Sequence, residues 1–333
     1  MVQKTDNLSS QFPDIEGTVA QCSLPNAISF TLNLASTALR IRVALPLNEQ
    51  IETTSNNPAA NIHRYPVLYL LDANASFASV VETNRRLSRR PDATRVAPAI
   101  IVGIDGDSGT LYDTELRKQL YSDIADPATS SESQPAPLAE INAEKFLGFI
   151  KTELFPLIQR LFPTDPQQQY LLGHSLAGYF TTWVLANHPG TFQGYAAISP
   201  SLWQNPDTLN ALTSGTWQQQ NANEENAEPA STKEVSGKLP RVFLAVGEWE
   251  ESLAPWQHGH PKADEIAQRR QARGMVSNVL ALGEALSTQL GEEQVQYAVY
   301  PGEDHASVFG TTLGRAMRHL LIPDITPVKT PEN

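Results

Sequence analysis

Tyr170-Leu171-Leu172-Gly173-His174-Ser175-Leu176-Ala177-Gly178-Tyr179-Phe180-Thr181-Thr182-Trp183-Val184-Leu185 decides how this chain folds. A short apolar run meets a corner of small residues, and a second apolar run follows. The pattern predicts a buried strand turning sharply into a helix, with Ser175 at the corner. Such a turn pushes the serine hydroxyl out at the carboxyl edge of a sheet. It also aims the next backbone N–H, that of Leu176, from the positive end of the new helix. Side chains two residues before and after the serine would collide with the neighbouring strand and helix. Gly173 meets that need, Ala177 meets it incompletely, and a glycine follows one place later at Gly178. In isolation, a serine that merely caps a helix would read the same way. The order of motifs along the chain separates the two.

Downstream, Arg241 to Gly247 forms a short apolar run that leads into Glu248-Trp249-Glu250-Glu251. Val295 to Tyr300 forms another, ending in Pro301-Gly302-Glu303-Asp304-His305. Nucleophile, acid and histidine therefore fall in the chain order of an α/β-hydrolase triad, each at the end of an expected strand. Ser175 is the expected nucleophile and His305 the base that takes its proton. A carboxylate from the cluster would fix the imidazole tautomer, with Glu248, Glu250 and Glu251 all open on residues alone. His174 adjoins the serine, but its side chain must leave the elbow in another direction. His258 and His260 lie in a Pro/Gly-rich loop without further ligands at metal spacing, so no metal is expected.

Upstream, Ala27 to Leu34 and Leu39 to Leu45 alternate as an antiparallel hairpin. Pro66 to Asp72 and Pro98 to Ile104 are continuous apolar runs of the kind buried on both faces of a parallel sheet. Helical spacing is expected over 76–90, 140–161, 263–290 and 307–321. The arginines of 85–90 would then line a solvated helix face. These elements predict an α/β fold: a mostly parallel, twisted sheet of about eight strands with helices on both faces, binding ligand at the strands' carboxyl ends. One catalytic domain is expected over 27–323, after an N-terminal extension at 1–26. Polar loop insertions fall near 126–137 and 204–238, and a flexible tail at 324–333.

Composition narrows the function classes. The chain has 333 residues, 41% of them hydrophobic and 18% charged, which suits a globular enzyme with a large core. A net charge of −12 argues against a nucleic-acid partner, which would need clustered Lys and Arg. Cys22 is the single cysteine, so no intrachain disulfide can form. No run of about 18 apolar residues predicts a membrane span. The polar start lacks the apolar stretch of a secretory signal, which tilts the expectation toward the cytoplasm. Oligomeric state is open.

Leu68-Tyr69-Leu70-Leu71-Asp72-Ala73-Asn74, Gly173-His174-Ser175-Leu176-Ala177-Gly178, Ile198-Ser199-Pro200-Ser201-Leu202-Trp203, Val246-Gly247-Glu248-Trp249-Glu250 and Gly302-Glu303-Asp304-His305 together resemble the esterase-D-type α/β-hydrolases. The chain is most similar to their IroE-like branch of enterobactin trilactone hydrolases. The resemblance implies the α/β-hydrolase fold and a serine esterase that works through an acyl-enzyme without a cofactor, on a small-molecule ester. Siderophore-like lactones and aryl or acyl-sugar esters are the implied substrates. An acyltransferase, or a binding protein on the same fold, is the alternative. The family's acid stands three places after the glycine that ends its strand, which implies Glu250, with Glu248 and Glu251 as alternatives and a Ser-His dyad in some relatives. The implied oxyanion hole combines the Leu176 N–H with that of Ala73 or Asn74. Arg117 matches an arginine that relatives carry and would attract an anionic substrate, with a surface salt bridge as the other reading. Independently of the resemblance, Trp203, after the strand beside the elbow, would wall the pocket, with a core tryptophan as the other reading.

Overall fold

Apolar runs that are too short for helices satisfy their backbone groups by pairing with one another. The computed structural model describes residues 23–47, 63–122, 141–218 and 239–323. Among these, eight strands form one sheet: β1 (Ala27–Leu34), β2 (Thr37–Ala44), β3 (Tyr65–Leu71), β4 (Ile100–Gly106), β5 (Thr164–His174), β6 (Gly194–Ile198), β7 (Arg241–Gly247) and β8 (Val295–Tyr300). Their spatial order is β1-β2-β4-β3-β5-β6-β7-β8. The pairs β1–β2 and β2–β4 are antiparallel, and all other pairs are parallel.

Helices cover both faces. They are α1 (Ala73–Leu87), α2 (Pro91–Thr94), α3 (Thr114–Tyr121), α4 (Ala143–Phe149), α5 (Phe155–Leu161), α6 (Leu176–Asn187), α7 (Pro206–Ser214), α8 (Ala263–Arg273), α9 (Met275–Leu290) and α10 (Ser307–Leu320). Strand periodicity divides the core. Val67, Tyr69 and Leu171 pack with Phe146, Phe180 and Leu282 on one side. Leu68, Leu70 and Leu172 pack with Phe77, Val80 and Met317 on the other. Every residue of β3 and β4 is buried, as helices over both faces require.

Four expectations need correction. The helix expected over 263–290 is two helices, broken at Gly274, whose φ is +54°. Residues 275–290 carry an apolar stripe that buries Val279, Leu282 and Leu286, whereas α8 is charged and has no fully buried residue. No single axis serves both halves. The Gly274 N–H donates to the Arg270 and Gln271 carbonyls, closing α8, and the Gly274 carbonyl accepts from Asn278 N–H, opening α9.

The helix expected over 140–161 widens into a π turn at Ile150–Leu154, where Phe155 N–H reaches the Ile150 carbonyl. Pro156 follows; its ring cannot sit against a regular preceding turn, and the widening accommodates it. The insertion expected near 204–238 starts as ordered structure. Asn205 Oδ1 accepts from Asp207 N–H at 2.9 Å, Pro206 occupies the first turn, and α7 buries Leu212. Arg85 does not lie on a solvated face: it is buried, and its Nη2 donates to the Pro25 and Leu45 carbonyls.

Cys22, the insertion near 126–137, the tail at 324–333 and all but residues 23–26 of the N-terminal extension lie outside the described residues. Among the described residues no helix is long and apolar enough to cross a membrane.

Candidate active site

Strand order places the crevice. From β3 the chain moves outward to β4 on one side, then returns to lay β5 on the other. Crossovers leaving in opposite directions open a cleft between the carboxyl ends of β3 and β5. Ser175 follows β5, and Ala73 follows β3.

Ser175 has φ +60° and ψ −119°, a conformation that side chains avoid and that surrounding bonds must impose. Its N–H donates to the Ile198 carbonyl at 3.0 Å, and its carbonyl accepts from Tyr179 N–H at 2.9 Å and Ser201 N–H at 3.1 Å. The motif's departure at position five also has a geometric account. A Cβ on Gly173 would lie 2.2 Å from the Ala177 carbonyl oxygen, and one on Gly178 would lie 3.0 Å from that of Ile198. Ala177 itself fits, fully buried. The crowded points are Gly173 and Gly178, so alanine between them is tolerated.

His305, on the turn after β8, bridges the ends of two other strands. Its Nε2 lies 2.9 Å from Ser175 Oγ, and its Nδ1 lies 2.5 Å from Glu250 Oε2. Hydrogen-bond logic assigns Nδ1–H to the carboxylate, leaving Nε2 to accept from the serine. Glu250 Oε1 accepts from Gly247 N–H at 2.7 Å and Ser199 Oγ–H at 2.5 Å. Burial pushes the Glu250 carboxyl up, but the bonds from His305, Ser199 and Gly247 outweigh it and hold the group below its ordinary value.

The neighbouring carboxylates are engaged elsewhere. Glu248 Oε2 accepts from Gly302 N–H at 2.7 Å, and Glu251 takes the N–H and hydroxyl of Ser277 at 2.7 and 2.6 Å. Of the three candidates, the structure brings Glu250 alone to His305.

Two residues that contact this relay were not assigned from sequence. Ser199, fully buried at φ +46°, aims its hydroxyl at Glu250. The sequence signals for it are a small polar residue directly after β6 and its place in the Ile198–Trp203 motif. His174 donates Nε2–H to the His305 carbonyl at 2.8 Å, with the two rings 4.8 Å apart. Burial and then the adjacent His305 push the His174 pKa down to about 4. It is neutral at ordinary pH.

Leu176 and Ala73 are the first residues of α6 and α1, so neither N–H has an acceptor within its helix. Asn74 is corrected as an oxyanion donor, because its N–H is already given to Asp105 Oδ2 at 2.7 Å. Its side chain clamps the loop after β4 instead, donating Nδ2–H to the Gly106 and Thr110 carbonyls and accepting from Arg42 Nη2. Burial pushes the Asp105 carboxyl up to about 6, against the pull of the Asn74 and Gly106 N–H groups.

Arg117 makes no surface salt bridge. Its Nε and Nη2 donate to both oxygens of buried Asp72 at 2.8 to 3.1 Å. Trp203 is 36% exposed, with the Arg273 guanidinium 4.7 Å from its ring centroid. Trp249 and Trp256 meet edge to face at 4.7 Å. His258 and His260 are exposed, and among the described residues no three His, Cys, Asp or Glu side chains group to hold a metal.

With this geometry in view, the Esterase family, described as "Putative esterase", matches residues 44–281. The chain belongs to the Esterase family. This esterase is 31% identical over 266 residues to the ferri-bacillibactin esterase BesA of Bacillus subtilis, covering 78% of this chain and 80% of the other. It is 29% identical to the siderophore triacetylfusarinine C esterase of Aspergillus fumigatus, covering 88% and 92%. In fold it is similar to the siderophore hydrolase EstB from Aspergillus nidulans, with a TM-score of 0.72 and 24% identity over 93% of this chain and 100% of that one. The α/β-hydrolase fold and carboxylic-ester hydrolase activity expected from sequence both hold.

Proposed function

We propose that this esterase cleaves siderophore-type esters with Ser175 as nucleophile, His305 as general base and acid, and Glu250 as the orienting carboxylate, within one catalytic domain spanning 27–323. The observation that carries the reading is the relay from Ser175 Oγ to His305 Nε2 and from His305 Nδ1 to Glu250 Oε2, at 2.9 and 2.5 Å. Ser175 Oγ attacks the ester carbonyl carbon while its proton passes to Nε2. Negative charge develops on the former carbonyl oxygen, facing the N–H groups of Leu176 and Ala73, which are fixed in place before the reaction starts. Collapse breaks the bond to the leaving alcohol, which takes the proton from Nε2. Water then repeats the sequence on the acyl-enzyme, releasing the acid and restoring Ser175.

Substrate class is supported by the relatives, named for ferri-bacillibactin and triacetylfusarinine C. The paired Trp203 and Arg273 suit a pocket wall for flat or anionic groups. The test is Ser175→Ala against a panel holding p-nitrophenyl butyrate, a siderophore trilactone, an aryl ester and an acylated sugar. Turnover should fall by about 10,000-fold or more. A serine-directed phosphonate should label wild type at Ser175, and the trilactone should give the highest kcat/KM. Near-wild-type turnover in the variant refutes the nucleophile, and preference for the sugar or aryl ester refutes the substrate class.

A further inference from the structure

Three successive backbone N–H groups leave β3, and the protein takes the outer two. Asp72 N–H donates to the Tyr121 hydroxyl at 3.3 Å, and Asn74 N–H donates to Asp105 Oδ2 at 2.7 Å. Between them, the Ala73 N–H finds no protein acceptor among the described residues. The corner just before it is strained, because Asp72 adopts φ +54° and ψ +44°, the left-handed region. Asp tolerates that region better than most residues, but something must hold it there. The Asp72 side chain is gripped through both oxygens by Arg117, and the two side chains are only 4% and 15% exposed.

Both Arg117 and Tyr121 project from α3. That helix is itself tied to the corner, because Asn74 Nδ2 holds the Gly106 and Thr110 carbonyls in the loop leading to it. A guanidinium meant to attract substrate would turn its fork outward. Here Nε and Nη2 face inward, and the Tyr112 ring lies 5.1 Å from the guanidinium carbon.

We infer that Arg117 is a positioning residue for the oxyanion hole: through Asp72 it fixes the corner that presents the Ala73 N–H, and it does not recognise an anionic group on the substrate. This rests on the proposed esterase mechanism, with Ala73 N–H as the second oxyanion donor. A positioning role acts where charge develops on the carbonyl oxygen, so it moves kcat rather than KM, and it ignores the charge of the rest of the substrate.

The test compares wild type, Arg117→Gln, Arg117→Lys and Tyr121→Phe on two p-nitrophenyl esters, a neutral butyrate and an anionic hemisuccinate. Thermal unfolding identifies folded variants, and Tyr121→Phe, which deletes one oxygen from a retained ring, is the variant least prone to misfold. Arg117→Gln should lower kcat by about 100-fold on both esters, with KM within about threefold, because losing one oxyanion donor costs on that order. Arg117→Lys keeps the charge without the two-pronged grip and should fall in between. Tyr121→Phe should lower kcat several-fold, again without moving KM. Affinity for an alkyl trifluoromethyl ketone, which forms a tetrahedral adduct on Ser175, should drop in parallel with kcat across the series.

A rise in KM confined to the hemisuccinate would assign Arg117 to substrate binding and overturn the inference. So would unchanged kcat in the folded variants. Ser175→Ala, run alongside, separates the two failures: if it remains active the mechanism itself fails, and if it is inactive while the Arg117 variants are normal, only the positioning role does.

Discussion

Replacing Glu250 with glutamine preserves shape and should remove nearly all of the rate. Oε1 receives two hydrogen bonds, from Gly247 N–H at 2.7 Å and Ser199 Oγ–H at 2.5 Å. A glutamine must therefore place its carbonyl oxygen there. Its NH2 then occupies the Oε2 position, 2.5 Å from His305 Nδ1, and requires an acceptor. The imidazole proton moves to Nε2, which faces Ser175 Oγ at 2.9 Å and can no longer receive the serine proton. The opposite amide orientation would set NH2 against the Gly247 donor and the Ser199 hydroxyl. Each buried group left unsatisfied costs about 1–3 kcal/mol, so the wrong imidazole tautomer is the cheaper outcome.

We expect a fall of about 10,000-fold in kcat, as when a triad loses its correct tautomer, with KM changed only a few-fold. Steady-state hydrolysis of p-nitrophenyl butyrate measures it, with Glu248→Gln and Glu251→Gln in parallel. Those two groups accept bonds away from His305, so their variants should stay within about threefold, the scale of an ordinary surface substitution. Activity of Glu250→Gln within tenfold of wild type would refute the tautomer argument. Equal small effects from all three would point to a Ser-His dyad.

Ser199→Ala removes one of the bonds that hold the buried Glu250 carboxyl below its ordinary value. A depressed carboxyl contributes stability that is present above its unfolded value and lost as pH falls through the folded one. The variant should therefore lose about 1.5–3 kcal/mol in urea unfolding at pH 7, and the deficit should shrink on acidification; a pH-independent deficit would contradict this. Gly173→Ala places a methyl group 2.2 Å from the Ala177 carbonyl oxygen and 2.7 Å from Thr181 Oγ1. A loss of about 3 kcal/mol or more is expected, and a cost below about 1 kcal/mol in the same titration would show that the elbow can give. His174→Phe keeps an aromatic ring beside His305 but deletes the N–H that holds its carbonyl. Loss of that bond should reduce kcat about tenfold. Because His174 titrates at about 4, the pH–rate profile between 5 and 9 should keep its shape, and the disappearance of a step in that range would refute its neutrality.

The sheet was legible because its inner strands are buried on both faces and read as unbroken apolar runs, as in Leu68-Tyr69-Leu70-Leu71. That Ser175 and His305 meet at one sheet edge was legible because strand ends and chain order constrain them jointly. Which carboxylate reaches His305 was not readable from residues alone, since Glu248, Glu250 and Glu251 differ only in where a short 3-10 turn points them. α3 escaped notice because its eight residues are mostly polar, and what holds it to the sheet is contact with distant residues. Arg117 lies 45 positions from the carboxylate it grips. Ser199 reaches its partner 51 positions away, and Asp105 reaches Asn74 across 31. Pairings over such distances leave no local trace. The break at Gly274 was readable in principle, because a charged segment and an apolar one meet at a glycine.

That break also divides the chain by its tolerance for change. α9 is locked to the sheet by its apolar stripe, whereas α8 buries no residue and is tied down by Arg273 over Trp203 and Arg270 on Ser252 and Gln257. An element without a fully buried residue can change in sequence at little cost to the core. α8 is therefore the helix whose sequence can change most while the sheet and the residues around Ser175 keep their packing.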